Sequence, residues 1–292
     1  MSALGQSDVL PLRSVLLKHA RDAFGDQPTL DGTWEELAYL ARPDFAGAVA
    51  EYEAFQELLK GLGAEIHLAP VDPATGPDSV YVRDATVICD RGAILCNMGK
   101  PARETEPGAA ERSLRAIDVP IVGRITGSGR LEGGDVAWID ERNVAVGLGY
   151  RTNAEGIRQL RALLGSGVDR VVPVPLPHWR GPDDVFHLMS MFSPVDRDLA
   201  VVYAPLLPVP FRQLLLKKGY ELVEVPHEEF ESMGCNVLAA GPRRCVAVDG
   251  NPVTRRRLEA AGAEVHTYRG REISTKGGGG PTCLTRPLVR SE

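Results

Sequence analysis

Ala261-Gly262-Ala263-Glu264-Val265-His266 is a helix end, a glycine, an acidic residue and an apolar strand in immediate succession. Glycine stops a helix there because it adopts the left-handed backbone that a side chain disfavours. The pattern recurs in Gly63-Ala64-Glu65-Ile66-His67-Leu68 and in Lys218-Gly219-Tyr220-Glu221-Leu222-Val223. A looser copy is Leu164-Gly165-Ser166-Gly167-Val168-Asp169-Arg170-Val171-Val172. Each copy follows a helix-like segment. Asp44 caps the first, whose Phe45, Val49, Tyr52, Phe55, Leu59 and Leu62 fall at helical spacing. The others cover 153–164, 210–218 and 251–261, the last with Pro252 at the favoured first position. Strand candidates lie at 12–18, 85–88, 93–97, 135–139, 144–147, 199–203 and 246–248. Such recurrence predicts ββαβ-like modules around a shared core, as one α/β domain over 1–292. Residues 1–11 read as a loose arm. Residues 20–43, with Gly25, Pro28, Gly32, Pro43 and no clean period, read as a lid or insertion.

The chain has 292 residues, 43% of them hydrophobic, enough to bury a large core. With 25% charged residues and a net charge of −6 it has no basic surface suited to nucleic acid; Arg255-Arg256-Arg257 reads as the solvated face of a short helix. The N-terminal residues lack the basic-then-apolar layout of a secretion signal. No apolar run approaches the ~18 residues of a membrane span. The five cysteines are odd in number and show no CxxC pairing, which argues for a reducing compartment; a cytoplasmic protein is expected. The histidines show no metal-ligand spacing, and neither metal nor cofactor is expected.

Several polar clusters interrupt the modules. Lys276-Gly277-Gly278-Gly279-Gly280-Pro281-Thr282-Cys283 places a thiol after four glycines, either as a positioned nucleophile or as a core cysteine ending a flexible linker. Asp78-Ser79-Val80-Tyr81-Val82-Arg83-Asp84 alternates like a strand, which would point Asp78 and Asp84 to one face. Paired carboxylates there suit a guanidinium; a turn cap and a surface ion pair are the competing reading. Leu131-Glu132-Gly133-Gly134-Asp135-Val136 sets two acids around a glycine pair, with Asp135 open to a structural role. Arg151, in Tyr150-Arg151-Thr152-Asn153, precedes a helix that Thr152 or Asn153 caps. His187 sits among apolar residues in Asp183-Asp184-Val185-Phe186-His187-Leu188-Met189, where a histidine is commonly a satisfied core residue. Cys283, His187 and an acid together hold the parts for nucleophilic catalysis.

Taken in order, these motifs resemble the guanidino-group-modifying superfamily, the penteins, from about residue 12 to residue 288. The resemblance implies a five-bladed, pseudo-symmetric α/β propeller of ββαβ modules. Within it, the chain is most similar to the dimethylarginine dimethylaminohydrolases, because Met189 stands where deiminases and amidinotransferases carry an aspartate that clamps the guanidinium. The implied reaction releases citrulline and methylamine or dimethylamine from N-methylated arginine. Cys283 would be the nucleophile, His187 the acid and base, and Glu132 its partner. Asp78 and Asp84 would bind the guanidinium, Arg103 and Arg151 the carboxylate, and the Gly277 backbone the α-amino end. Arg83 departs from the hydrolases, which often carry glutamate there, and resembles the deiminases. Arginine deiminase or another guanidine hydrolase, then amidinotransferase, then a non-catalytic binder are the alternatives. The expected partner is a small guanidino substrate, without nucleic acid or membrane; a homodimer is one assembly open to the chain.

Overall fold

In the computed structural model, which describes residues 5–182, 184 and 186–292, five three-stranded sheets follow one plan. An inner strand pairs antiparallel with a middle strand, and a crossover helix returns the chain to an outer strand parallel to the middle one. In the second blade Thr86–Cys89 and Gly92–Leu95 are joined through helix Glu106–Arg115 to Ile121–Arg124. Val136–Asp140, Asn143–Leu148, helix Ala154–Leu164 and Arg170–Pro175 form the third. Phe192–Asp196, Leu199–Val202, helix Val209–Lys217 and Glu221–Glu224 form the fourth. Leu238–Gly241, Arg244–Val248, helix Pro252–Ala260 and Glu264–Tyr268 form the fifth. The first is closed by the end of the chain: Arg286–Arg290 pairs antiparallel with Leu12–Leu17, which lies parallel to Glu65–Leu68 beyond helix Phe45–Gly61. This is the expected five-bladed propeller.

The local signals act where they were read. Asp44 accepts from the Gly47 amide at 2.7 Å and Asn153 from Gly156 at 2.8 Å, each capping its helix. The first crossover helix buries an apolar stripe of Tyr52, Phe55 and Leu59, and the third one of Ile157, Leu160 and Leu164. Inner strands 192–196 and 286–290 carry Pro194 and Pro287, which mask their strand pattern.

Three expectations change. Asp78 to Asp84 is no strand: Pro77–Val80 is a 3-10 turn, and the chain then winds through turns, so the shared direction of the two acids comes from loop geometry. Within 20–43, Ala20–Phe24 and Gln27–Thr33 are short helices, the second capped by Asp26 through Thr29 N at 2.8 Å. Residues 5–11 are no loose arm. Gln6 is tied to Asp90 at 2.9 Å, and buried Asp8 pairs with Arg83 at 2.7 Å and accepts from Trp138 N at 2.8 Å. The rest of that arm, 1–4, lies outside the described residues, as do Asp183 and Val185.

Candidate active site

One position recurs in every blade. The segment that enters each inner strand carries a polar residue toward the site: Asp84 before Thr86, His187 before Phe192, Asn236 before Leu238 and Cys283 before Arg286 line cavities there, and Glu132 before Val136 lies buried against His187. The ring of blades thus gathers side chains that are far apart in sequence. Two contiguous cavities meet at His187, Cys283, Gly277 and Gly278. One is charged, lined by Asp78, Asp84, Lys100, Arg103 and Arg151. The other is mixed, with apolar walls from Phe186, Met189 and Phe230 beside the charged Arg180, Asp184 and Glu231.

His187 Nε2 lies 2.7 Å from Glu132 Oε2, and its Nδ1 lies 4.0 Å from Asp84 Oδ1. Burial opposes charge on the ring, but Asp84, Asp135 and Glu132 surround it and hold its pKa up at about 9. His187 is therefore an imidazolium near neutral pH. Glu132 is fully buried and accepts from Gly99 N at 2.9 Å, Lys100 N at 3.0 Å and Arg151 Nη1 at 3.3 Å. Against the cost of burial, His187, Arg151 and Arg103 keep this carboxyl well below the usual range. Asp135 is the structural acid: its Oδ1 accepts from Leu188 N at 3.0 Å, which fixes the backbone beside His187. Gly134 is required for the same packing, since a Cβ there would lie 2.6 Å from His187 Nδ1 and 2.7 Å from Asp84 Oδ1.

Cys283 follows the glycine run in a turn closed by its own amide on Gly280 O at 3.0 Å. It is partly exposed, while the other four cysteines are buried. Burial pushes its thiol pKa up and the Asp84 carboxylate pushes the same way; hydrogen bonds from Thr282 and Asn236 and the Arg83 charge act against them. Asn236 was missed in the sequence. It donates to Cys283 Sγ at 3.4 Å and accepts from Thr282 N at 3.0 Å, so it orients the turn that presents the sulfur. Gly277 lines both cavities, and a Cβ on it would fall 1.9 Å from Tyr81 Oη.

Asp84 takes Gly134 N at 2.9 Å on one oxygen and Arg103 Nη1 at 2.6 Å on the other. The expectation that Arg103 serves a substrate carboxylate is revised here. Its fork is bidentate to Glu106 at 2.9 and 2.7 Å and also reaches Tyr81 O at 2.9 Å, so it holds Asp84 in place. Arg151 donates to Glu132 through Nη1 and, with its further N–H groups, stands at the wall of the charged cavity. Lys100 was also missed. Its ammonium lies 2.6 Å from Asp78 Oδ2 and 2.7 Å from Leu37 O, bridging an expected guanidinium ligand to the segment 34–40. Leu40 N donates to Lys276 O at 2.7 Å, so the same segment rests on the glycine run. Arg83 turns away from both cavities toward Asp8. Asp84, Glu132 and His187 also lie close enough to hold a metal ion, yet each is already engaged by protein donors or acceptors that suit a proton-transfer set.

A family model described as N,N dimethylarginine dimethylhydrolase, eukaryotic, matches residues 44–290. The chain belongs to this family. The family acts as hydrolases on guanidino carbon–nitrogen bonds, and the pentein fold agrees with it. A dimethylarginine dimethylaminohydrolase of Streptomyces coelicolor is 32% identical over 224 residues, covering 76% of this chain and 78% of that one. An arginine deiminase of Listeria welshimeri is 27% identical over 257 residues, covering 73% of this chain and 62% of its own. The dimethylarginine dimethylaminohydrolase of Pseudomonas aeruginosa, in a mutant complexed with citrulline, superposes with a TM-score of 0.77 at 23% identity over 96% of this chain and all 100% of that one, which shows the shared fold. Among the described residues, no helix is long and apolar enough to cross a membrane.

Proposed function

We propose that this chain is a cysteine-dependent hydrolase of N-methylated arginine, forming citrulline and methylamine or dimethylamine in the cytoplasm. The observation that carries the reading is buried Met189, two residues from His187 and at the wall of the cavity next to Cys283. A thioether there gives N-methyl groups an apolar wall and adds no carboxylate to attract an unsubstituted guanidinium end. Asp78 and Asp84 receive the guanidinium, which displaces the Lys100 ammonium from Asp78 and offsets the negative charge that holds the thiol protonated. Arg151 meets the substrate carboxylate, and the Gly277 backbone lies by the α-amino end. Segment 34–40 covers the substrate as a lid.

With the substrate cation in place the Cys283 thiol releases its proton to solvent, and the sulfur attacks the guanidinium carbon as thiolate. His187, charged at neutral pH, gives its proton to the departing amine as the carbon–nitrogen bond breaks, leaving an S-alkylthiouronium. The neutral imidazole then takes a proton from water as its oxygen adds to that carbon; the hydroxyl proton passes to the sulfur as the carbon–sulfur bond breaks, and citrulline leaves with the Cys283 thiol and the His187 imidazolium restored. Glu132 orients the ring and supports its charged form through both steps. The test is citrulline formation from asymmetric dimethylarginine, monomethylarginine and arginine in parallel. Turnover of the methylated substrates that is lost in Cys283→Ser, with the fold intact, is expected. Preference for arginine supports the second reading, arginine deiminase, which the Listeria relative favours.

A further inference from the structure

Asn236 stands between a turn and the strand Leu238–Gly241, is buried, and lines the mixed cavity together with Cys283. Its Nδ2 lies 3.4 Å from Cys283 Sγ. The amide is held in this sense. Oδ1 accepts from Thr282 N at 3.0 Å and from Thr282 Oγ1 at 2.8 Å, and a flip would set the Nδ2 hydrogens against the Thr282 N–H. The Thr282 hydroxyl is 3.8 Å from Sγ, so Oδ1 is its nearer acceptor. The surrounding backbone closes on the side chain. Asn236 N donates to Met233 O at 3.0 Å, and a Cβ on Gly280 would fall 2.5 Å from Asn236 Cγ.

This geometry does more than shape the turn. A thiol is a weak acceptor and a thiolate a strong one, so a fixed N–H aimed at sulfur favours the ionised form. Burial and Asp84 oppose ionisation of Cys283, while the bonds from Asn236 and Thr282 act for it. Asn236 does not line the charged cavity that holds Asp78, Asp84 and Arg151, so its effect falls on the sulfur and not on the seat of the substrate.

We propose that Asn236 is a catalytic residue, its Nδ2–H serving as the hydrogen-bond donor to the Cys283 thiolate before attack and to the charge that returns to sulfur as the carbon–sulfur bond breaks. The inference rests on Cys283 being the nucleophile. The amide transfers no proton and keeps both its hydrogens throughout. In the thiouronium the sulfur has given its electron pair to carbon and accepts weakly, so the bond strengthens as the intermediate breaks down. A better stabilised thiolate is a weaker nucleophile, but reactivity follows only about 0.4–0.5 of the change in basicity. Below the thiol midpoint, each pH unit of easier ionisation therefore speeds reaction by ~3-fold.

The test separates the two ends of the amide. Asn236→Asp keeps an oxygen for both Thr282 donors and removes the N–H that faces Sγ. The pH dependence of alkylation by iodoacetamide reads the sulfur in the free enzyme, since the other four cysteines are buried, and Cys283→Ser gives the blank. The midpoint should rise by ~1 pH unit or more, and alkylation at pH 8 should slow by ~3-fold or more. For dimethylarginine, kcat should fall by a similar factor with KM changed by less than ~2-fold. An unmoved midpoint in folded Asn236→Asp overturns the proposal and leaves Asn236 as a support of the turn. In the native protein the Asn236 side-chain amide protons should shift in NMR spectra with the Cys283 titration; protons that ignore it overturn the proposal even where the variant does not fold. Turnover that survives Cys283→Ser removes the proposal together with the nucleophile, whereas an unmoved midpoint removes the proposal alone.

Discussion

Glu132→Gln isolates the charge on which His187 depends. The substitution keeps size and an amide oxygen for the Gly99 and Lys100 amides, while it removes the anion 2.7 Å from His187 Nε2. Holding a histidine at about 9 instead of 6.5 corresponds to ~3 kcal/mol in favour of imidazolium. Asp84 and Asp135 remain beside the ring, so the loss of Glu132 should remove roughly half of this, lowering the pKa by ~1 pH unit. The sign of the stability effect follows. A raised pKa means that the folded chain binds this proton more tightly than the unfolded chain. The contribution is complete below pH 6.5 and is lost as pH rises through about 9. In Glu132→Gln that loss should come at lower pH. The assay is proton NMR titration of His187, assigned by its disappearance in His187→Gln, alongside the pH profile of citrulline release. We expect the alkaline limb of the profile to move down with the His187 titration and kcat to fall by ~10- to 100-fold. An unmoved His187 titration in a folded variant would falsify the electrostatic role given to Glu132.

Lys100→Met removes the ammonium that the incoming guanidinium displaces from Asp78; KM for dimethylarginine should fall ~5-fold, or about 1 kcal/mol, and a rise would mean that Lys100 chiefly serves the substrate carboxylate. Gly277→Ala drives a methyl group into Tyr81 Oη, so calorimetry should show a loss of ~1–3 kcal/mol, and an unchanged Tm with full turnover contradicts the packing described here. Met189→Asp should shift the ratio of kcat/KM from dimethylarginine toward arginine by at least ~10-fold, because a carboxylate replaces the apolar wall; no change in that ratio would remove Met189 as the discriminating residue.

Much of the blade plan was legible because it is local. A glycine after a helix, an Asp or Asn cap before one and a proline at its first turn act through neighbouring backbone, and each was found at its expected place. The positions of Cys283, His187, Glu132, Asp78 and Asp84 came from motif order; the structure brings Cys283, His187, Asp78 and Asp84 to one pair of adjoining cavities and sets Glu132 against His187. Asn236 had a readable signal. It occupies in the fifth blade the entry position that Asp84, Glu132, His187 and Cys283 hold in the others, but asparagine without a motif is indistinguishable from a turn residue.

What the amino-acid order determined alone is the repeating module and the identity of the reactive groups, since both depend on contacts within a few residues. Tertiary structure decided which charges those groups feel. Arg103 was expected on the substrate carboxylate and Arg83 stood out as a deiminase-like residue, yet Glu106 claims the first and Asp8 the second. Lys100 carried no expectation, and its contact with Asp78 puts its ammonium in the expected guanidinium seat. Hydrogen-bonding capacity is finite and is allotted between segments that meet only when the last strand closes the ring; spacing along the chain holds no record of that allotment.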